Sequence, residues 1–359
     1  MIIYFWLAWI RVPVYINKDA QTGTTSISVI IPARNEEQYI KALLDSLLKQ
    51  DYPSALTEII VINDHSTDKT AAIVKSYPNV KLLELHEELT NAYKKKAIEM
   101  GIAHASGKLI VTTDADCIAD SSWLSNLVSF KENKDAVFVA APVGFVDKNS
   151  GSKLLYHFQV LDFLVLQGIT GVSVHNKIMS MSNGANLAYE KKVFEEVNGF
   201  TDIDHIASGD DMLLMHKINS KYPDKVHYIK CTNAIIKTQP AKTWKDFFNQ
   251  RIRWASKANK YDDKRIFWIL LLVYLFNFSF LCFFIAGFIN YHYWLYLVCL
   301  WLAKTIIEFP FVYSVASFFK RRSLMKYFLF FQPLHICYTI IAGWLGQFGT
   351  YEWKGRKVK

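Results

Sequence analysis

Cysteine is scarce in this chain, and the few cysteines are scattered. There are five among 359 residues, with no Cys-x-x-Cys pair and no cluster of cysteine with histidine. Neither a disulfide framework nor a zinc site is therefore expected. Three of the five lie in apolar stretches, where cysteine serves as a small hydrophobic residue. The soluble part of the chain is typical of a reducing compartment.

The N-terminal segment lacks the marks of a cleaved signal peptide. Residues 1–16 are apolar and aromatic, but they have neither a basic start nor an Ala-x-Ala site. The segment is a little short for the ~20 residues of a membrane-spanning helix. We therefore expect residues 1–16 to form an N-terminal membrane anchor and residues 17–26 to form a polar linker.

The positive charge lacks the clustering that tracks a nucleic acid. The formal net charge is +9, yet the lysines and arginines are dispersed or lie beside apolar segments. No nucleic-acid partner is therefore expected. A charge of this sign suits anionic lipid or a phosphorylated substrate instead.

Charged residues are absent from residues 266–289, a stretch long enough to cross a bilayer. Two further apolar stretches follow, at residues 291–319 and 327–348. We therefore predict an integral membrane protein with two to three transmembrane segments over residues 266–348. A basic tail over residues 349–359 would follow them.

The charged residues in and around these stretches carry two further predictions. Glu308 interrupts the second stretch, either as a functional residue or as the partner of Lys304 one helical turn earlier. The basic residues 320–322 separate the second stretch from the third. By the positive-inside rule, these residues and the soluble domain lie in the cytoplasm, at the plasma (inner) membrane.

Between the linker and the membrane stretches, apolar strands alternate with amphipathic helices. This rhythm predicts an α/β domain with a parallel sheet covered by helices on both faces. Ligands on such sheets bind beyond the carboxyl ends of the strands. The predicted strands are residues 27–33, 58–64, 80–85, 109–114 and 136–143, and the helices between them are residues 37–49, 68–76, 91–105 and one beginning at Ser121 or Ser122.

Two carboxylates, Asp114 and Asp116, end the strand at residues 109–114. Residues two apart in an extended chain point to the same side, and two like charges so close need a cation between them or a proton on one. A divalent metal with oxygen ligands is the natural partner, and substrate phosphates usually complete its shell. An Asp-rich turn is the alternative. Carboxylates also follow the first two strands, at residues 32–36 and 63–68, so one edge of the sheet is predicted to hold a pocket.

Taken in order, six short segments resemble the motifs of the family 2 glycosyltransferases, which have the GT-A fold. The resemblance covers roughly residues 27–257, in a predicted glycosyltransferase domain over residues 27–260 whose last helix, near 244–260, lies at the membrane interface. The segments are Pro32-Ala33-Arg34-Asn35-Glu36 (a nucleotide loop), Asn63-Asp64-His65-Ser66-Thr67-Asp68 (a base-binding loop), Lys95-Lys96-Ala97 (similar to Gly-Lys-x-Ala, with Lys94 in place of glycine), Asp114-Ala115-Asp116 (Asp-x-Asp), Ser208-Gly209-Asp210-Asp211 (similar to a Glu-Asp element) and Gln250-Arg251-Ile252-Arg253-Trp254 (Gln-x-x-Arg-Trp).

The resemblance implies an inverting, metal-dependent enzyme that moves a sugar from a nucleotide-sugar donor, expected to be a UDP-sugar, to a membrane-associated lipid or lipid-linked glycan. The metal, Mn²⁺ or Mg²⁺, would stabilise the departing diphosphate. The resemblance implies metal binding by Asp116 and Asp114, or ribose binding by Asp114, and phosphate binding by Lys95. It implies base or ribose binding by Pro32, Ala33, Glu36 and Asp64, and closure over the diphosphate and the acceptor by Gln250, Arg253 and Trp254. Asp211 would be the catalytic base with Asp210 beside it, and Gly184 and Asn186 would line the acceptor side.

Ordinary structural interpretations of these residues, and other functions, stay open at this point. The residues suit turns and caps (Asp64, Asp68), charge at a helix N-terminus (Asp210, Asp211), a solvated face (Lys94, Lys95, Lys96) or an interfacial anchor (Arg253, Trp254). The other functions are a processive polysaccharide synthase, an inactive scaffold that binds nucleotide sugar or lipid, and a nucleotidyltransferase, for which a glycine-rich loop after the first strand is missing.

Overall fold

The computed structural model describes residues 1–17, 23–86, 93–147, 152–204, 206, 209–256, 263–348, 351–353 and 356–358. Within them the chain forms two compact units. The sheet unit comprises residues 12–146 and 173–239, and the helical unit comprises residues 1–11, 147–172 and 240–359. The predicted domain over residues 27–260 is thus divided between the two units. Outside the described residues lie Ser208 of the predicted motifs, residues 91–92 and 257–260 of the predicted helices, and residues 18–22 of the predicted linker.

Helices and strands alternate along the sheet unit, and helices dominate the C-terminal part of the chain. In chain order the elements are α1 Ile2–Arg11, β1 Ile27–Ala33, α2 Ile40–Leu47, β2 Thr57–Asn63, α3 Thr70–Lys75, β3 Val80–Glu84, α4 Tyr93–Ala103, β4 Leu109–Thr112, α5 Trp123–Lys134, β5 Phe138–Ala140, β6 Val143–Phe145, α6 Lys153–His175, β7 Leu187–Glu190, α7 Lys191–Glu196, α8 Met212–Lys221, β8 Val226–Tyr228, β9 Ile236–Thr238, α9 Trp244–Ala255, α10 Lys264–Ala286, α11 His292–Phe318, α12 Phe328–Phe348, β10 Tyr351–Trp353 and β11 Arg356–Val358.

The sheet unit is built on a seven-stranded sheet in the order β3-β2-β1-β4-β7-β5-β8. Strands β3, β2, β1 and β4 are parallel, as are β5 and β8. The central strand β1 is apolar without interruption from Val29 to Ile31, and these side chains are fully buried. A strand covered on both faces needs such a run, because neither face reaches water. The predicted α/β sheet is therefore confirmed.

Strand β7 differs from the predicted parallel arrangement. It runs antiparallel to both of its neighbours, β4 and β5. Its first residue, Leu187, pairs with Thr112 at the carboxyl end of β4. The turn before β7 lies at that same edge, where Thr112 Oγ1 donates to the Gly184 carbonyl and the Ala141 N–H donates to the Asn186 carbonyl. The chain therefore enters β7 at the edge where β4 ends and must run back.

The helical unit contains α1, most of α6, and α9 to α12. The described residues contain four helices long and apolar enough to cross a membrane: α6, α10, α11 and residues 322–347, which include most of α12. The last three are the predicted C-terminal segments. The N-terminal helix α1 is shorter and packs on α11, with Phe5 against Phe311 and Trp9 against Phe318.

A buried polar contact joins α11 to α12. Lys304 Nζ donates to Glu308 Oε2 and to Gln332 Oε1, both at 2.7 Å. Gln332 Nε2 in turn donates to Glu308 at 2.9 Å. Of the two interpretations of Glu308, the structure therefore favours the pair with Lys304, and Gln332 completes it.

Candidate functional site

The loops that follow β1 and β2 are joined at the carboxyl edge of the sheet. The Asp64 N–H donates to the Ala33 carbonyl at 2.8 Å, and Arg34 Nη1 donates to the Asp64 carbonyl at 2.9 Å. Asn35 and His65 have φ values of 53° and 52°, which turn both loops sharply. The Asp64 side chain is buried, with His65 Nδ1 3.0 Å from its Oδ1. A buried carboxylate held this way can accept a hydrogen bond from a ligand at the edge.

The next residues of the two loops hold the start of α3. Thr70 Oγ1 accepts from the Glu36 N–H at 2.8 Å, and Asp68 accepts from the N–H groups of Glu37 and Thr70. Although burial raises the pKa of Asp68, these hydrogen bonds lower it below its ordinary value. Asp68 therefore has a structural role before α3, but the N-cap position is Lys69 and not Asp68. The Glu36 side chain is buried.

Pro32 and Ala33 belong to β1 itself. They pair with Ile62 and Asn63 of β2, and the Ala33 side chain is buried. Any contact between Ala33 and the predicted nucleotide-sugar donor would therefore involve the backbone of Ala33 rather than its side chain.

A lysine lies among the carboxylates beyond β4. Lys94 Nζ is 2.8 Å from Asp114 Oδ1 and 3.1 Å from Asp210 Oδ2. Burial by itself would lower the pKa of Lys94, but the nearby carboxylates, Asp114 foremost, hold that pKa above its ordinary value. No functional role was predicted for Lys94 from the sequence. Lys94 is the first of three consecutive lysines. The sequence does not reveal which of the three side chains points toward the predicted carboxylates.

Lys95 points elsewhere. Its side chain is buried, and its Nζ donates to the carbonyls of Ile203 and Ile206. Burial lowers the pKa of Lys95 to about 8, against the opposite effect of nearby carboxylates. Consecutive helical residues differ in direction by roughly 100°, so Lys94 and Lys95 cannot share one face. The predicted contact of Lys95 with the donor phosphates does not fit this placement.

Asp116 is held from the second, smaller sheet, formed by β6 and β9. Thr238 Oγ1 donates to Asp116 Oδ2 at 3.1 Å, and Gln239 Nε2 lies 3.5 Å from its carbonyl. The side chain is half-buried. The strand end therefore presents Asp114 and Asp116 with different partners, one a cation and one a hydroxyl.

Asp211 begins α8. Its Oδ1 accepts from the Met212 N–H at 2.8 Å, and its Oδ2 accepts from the Gly184 N–H at 3.1 Å. Asp211 is half-buried and Asp210 is buried. Gly184 allows this approach, because a Cβ there would lie 2.8 Å from Asp210 Oδ2. The sheet unit thus brings Gly184, Asp114, Asp210 and Asp211 together.

Asn186 does not line a surface. It is fully buried, and its Nδ2 donates to the carbonyls of Pro142 and Ala234, both at 2.8 Å. Its Oδ1 accepts from Trp123 Nε1 at 3.0 Å. All of these bonds tie loops of the sheet unit to one another. The predicted acceptor-side role of Asn186 does not fit this burial.

The predicted Gln-x-x-Arg-Trp motif lies on α9, in the helical unit. The buried charged side chain of this segment is Arg251. It donates from Nε and Nη2 to Asp162 Oδ2 at 2.9 and 2.6 Å. Gln250 Oε1 accepts from Arg251 Nη1, and the Trp254 ring lies 4.2 Å from the guanidinium carbon. Gln250 and Trp254 therefore support Arg251. Arg253 lies in the last turn of α9.

The described residues contain no group of three or more acidic, histidine or cysteine side chains arranged around one point. Asp114 and Asp116 nevertheless suit a hard divalent cation, because such a cation can take most of its ligands from a diphosphate and water. Asp116 would be the main ligand. Asp114 already has the Lys94 ammonium as its cation. The residues therefore fit an ion that arrives with a diphosphate better than an ion bound alone.

Known proteins are similar to this chain in sequence and in fold. The model of the family "Glycosyl transferase family 2" matches residues 28–197. The probable glycosyltransferase YdaM of Bacillus subtilis (strain 168) is 30% identical over 242 residues, which are 66% of this chain and 55% of that protein. This chain therefore spans about half of the length of that relative.

Two further relatives cover more of both chains. The dolichyl N-acetyl-alpha-D-glucosaminyl phosphate 3-beta-D-2,3-diacetamido-2,3-dideoxy-beta-D-glucuronosyltransferase of Methanococcus voltae is 26% identical over 259 residues, 71% of this chain and 78% of that protein. A mannosyltransferase of Pyrobaculum calidifontis, solved with GDP-Man and Mn²⁺, has a TM-score of 0.54 at 19% identity and covers 93% of each chain. The latter likeness concerns the fold alone.

Proposed function

We propose that this chain, whose residues 28–197 belong to glycosyl transferase family 2, transfers a sugar from a nucleotide-sugar donor to a lipid or lipid-linked glycan at a membrane. The observation that carries the proposal is the cluster of Lys94, Asp114, Asp210 and Asp211 beyond β4, with Asp64 at the same sheet edge. Carboxylates gathered at a sheet edge are costly unless they act on a ligand or a cation.

The donor would bind across the carboxyl ends of β1, β2 and β4. Asp64 would accept a hydrogen bond from the base, and a UDP-sugar suits this carboxylate because the uracil ring carries an N–H. Asp116, with Asp114, would hold the Mn²⁺ or Mg²⁺ ion. When bound, such an ion neutralises the negative charge that grows on the departing diphosphate.

Asp211 would take the proton of the acceptor hydroxyl. The N–H groups of Met212 and Gly184 fix the position of its carboxylate. It is less buried than Asp210, so an acceptor can reach it. A base placed opposite the leaving group gives inversion at the anomeric carbon. Asp210 would keep its pair with Lys94.

We propose that the acceptor is a lipid or a lipid-linked glycan. The name of the Methanococcus relative specifies a dolichyl-linked sugar phosphate as its acceptor, and four helices of this chain are long and apolar enough to cross a membrane. The catalytic unit would then lie on the cytoplasmic face of the plasma membrane, as the basic residues 320–322 favour.

The test is nucleotide release by the full chain in nanodiscs, with candidate UDP-sugars, extracted membrane lipids, and Mn²⁺ or Mg²⁺. Asp116→Asn and Asp211→Asn should each lower the rate at least about a hundredfold, since each removes a charge used in the transition state. Asp120→Asn is the matched control, because Asp120 is exposed and only four residues from Asp116. Full activity of both site variants would refute the mechanism. Nucleotide binding without release would favour a scaffold.

A further inference from the structure

Lys94 places a positive charge between two carboxylates of the site. Its ammonium lies within hydrogen-bonding distance of one carboxylate after β4 and one before α8, at 2.8 Å from Asp114 and 3.1 Å from Asp210. Two carboxylates around a single point normally share a metal ion or a proton. Here a side chain of the protein supplies the positive charge.

The surrounding backbone fixes this arrangement. A Cβ on Gly184 would lie 2.8 Å from Asp210 Oδ2 and 3.1 Å from Lys94 Nζ, so only glycine fits without displacing the pair. The Gly184 N–H also donates to Asp211 at 3.1 Å. The Lys94 side chain is 22% exposed, and its ammonium lies between the turn before β7 and two acidic residues that hold it in place.

We propose that Lys94 is the resident cation of the donor site, a positioning residue that neutralises Asp114 and Asp210 and keeps a free divalent ion from binding between them. The donor-site ion, held by Asp116 with Asp114, would then enter only with the diphosphate, whose oxygens would supply its remaining ligands. The inference rests on the proposed function in one respect, that Asp114 belongs to the donor site. Without Lys94, the two carboxylates would be left facing each other and would attract a divalent ion directly.

The neighbouring Lys96 provides a control on the same helix. It pairs with Glu99 at 3.4 Å, one turn along α4. Removing Lys96 changes the net charge and the helix as much as removing Lys94 does. It leaves the contacts of Lys94 with Asp114 and Asp210 in place.

The experiment is an electron paramagnetic resonance titration of Mn²⁺ into the full chain in detergent, without nucleotide. Lys94→Ala and Lys94→Met should bind Mn²⁺ at least about tenfold more tightly than the wild type, which corresponds to ~1.4 kcal/mol or more. Lys96→Ala should match the wild type. Adding Asp210→Asn to Lys94→Ala should abolish the gain, because one of the two carboxylate charges is lost.

A second readout keeps the test decisive if one variant folds poorly. Mn²⁺ should raise the thermal unfolding midpoint of Lys94→Met but not that of the wild type. Mn²⁺ affinity of both Lys94 variants equal to wild type, or an equal gain in Lys96→Ala, would overturn the inference. Neither measurement requires sugar transfer. Loss of transfer in Asp116→Asn together with unchanged Mn²⁺ affinity in the Lys94 variants would therefore refute the role of Lys94 and leave the proposed function intact.

Discussion

Replacing Asn186 with alanine should destabilise the chain by roughly 2–6 kcal/mol. The side chain is fully buried and makes three hydrogen bonds, to the carbonyls of Pro142 and Ala234 and to Trp123 Nε1. Alanine leaves Trp123 Nε1 and the Ala234 carbonyl buried without this hydrogen bond, at about 1–3 kcal/mol each. The Pro142 carbonyl keeps the hydrogen bond from the Ile236 N–H. The lower end of the sum applies if water enters the space that the amide leaves.

Equilibrium unfolding in urea, followed by tryptophan fluorescence, measures this cost in the full chain in detergent. Asn133→Ala is the matched control, because Asn133 is exposed and its amide donates to Tyr15 Oη at the surface. The control should stay within about 0.5 kcal/mol of the wild type. If Asn186→Ala unfolded at the same urea concentration as the wild type, with an unchanged slope, the buried hydrogen bonds would not carry the stability assigned to them.

Two further predictions concern buried charges. For Lys95, whose pKa falls from 10.5 unfolded to about 8 folded, the unfolded chain binds more protons between pH 8 and pH 10.5. The free energy of unfolding should therefore rise with pH across that window relative to Lys95→Met, and a flat difference in urea titrations would contradict it. Arg251→Met leaves the buried Asp162 without its guanidinium and should cost about 3–5 kcal/mol, whereas pairing it with Asp162→Leu should recover most of the loss; equal losses in the single and double variants would refute the pairing energy.

The edge of the sheet that carries the site was predictable because its signals are local. An uninterrupted apolar run such as Val29–Ile31 indicates a strand covered on both faces, and polar residues directly after it mark the carboxyl end. Asp64 and Asp114 follow two such strands, so their meeting at one edge required only that β2 and β4 flank β1 in parallel.

Features that depend on contacts between distant residues were not predictable. The short strand β7 is antiparallel because its preceding turn meets the end of β4, a fact of topology that residues 187–190 alone do not carry. Likewise, Asn186 looks like any small polar loop residue until Trp123, 63 positions earlier in the chain, donates to it. The choice of Lys94 over Lys95 required the rotation of α4 about its axis, which three consecutive lysines leave undefined.

Hydropathy also fails to separate two kinds of apolar helix in this chain. Both α6 and α10 have the length and composition of membrane spans, yet the most apolar window of α6 is 78% buried by protein and that of α10 only 11%. Buried polar side chains on α6 explain the difference: Gln159 donates to the Ala241 carbonyl and Asp162 accepts from Arg251. A helix that carries a charged pair and an amide on its buried side is a core element. The exposed apolar side chains of α10 are not covered by protein in the described part of the chain. A lipid bilayer would shield them from water.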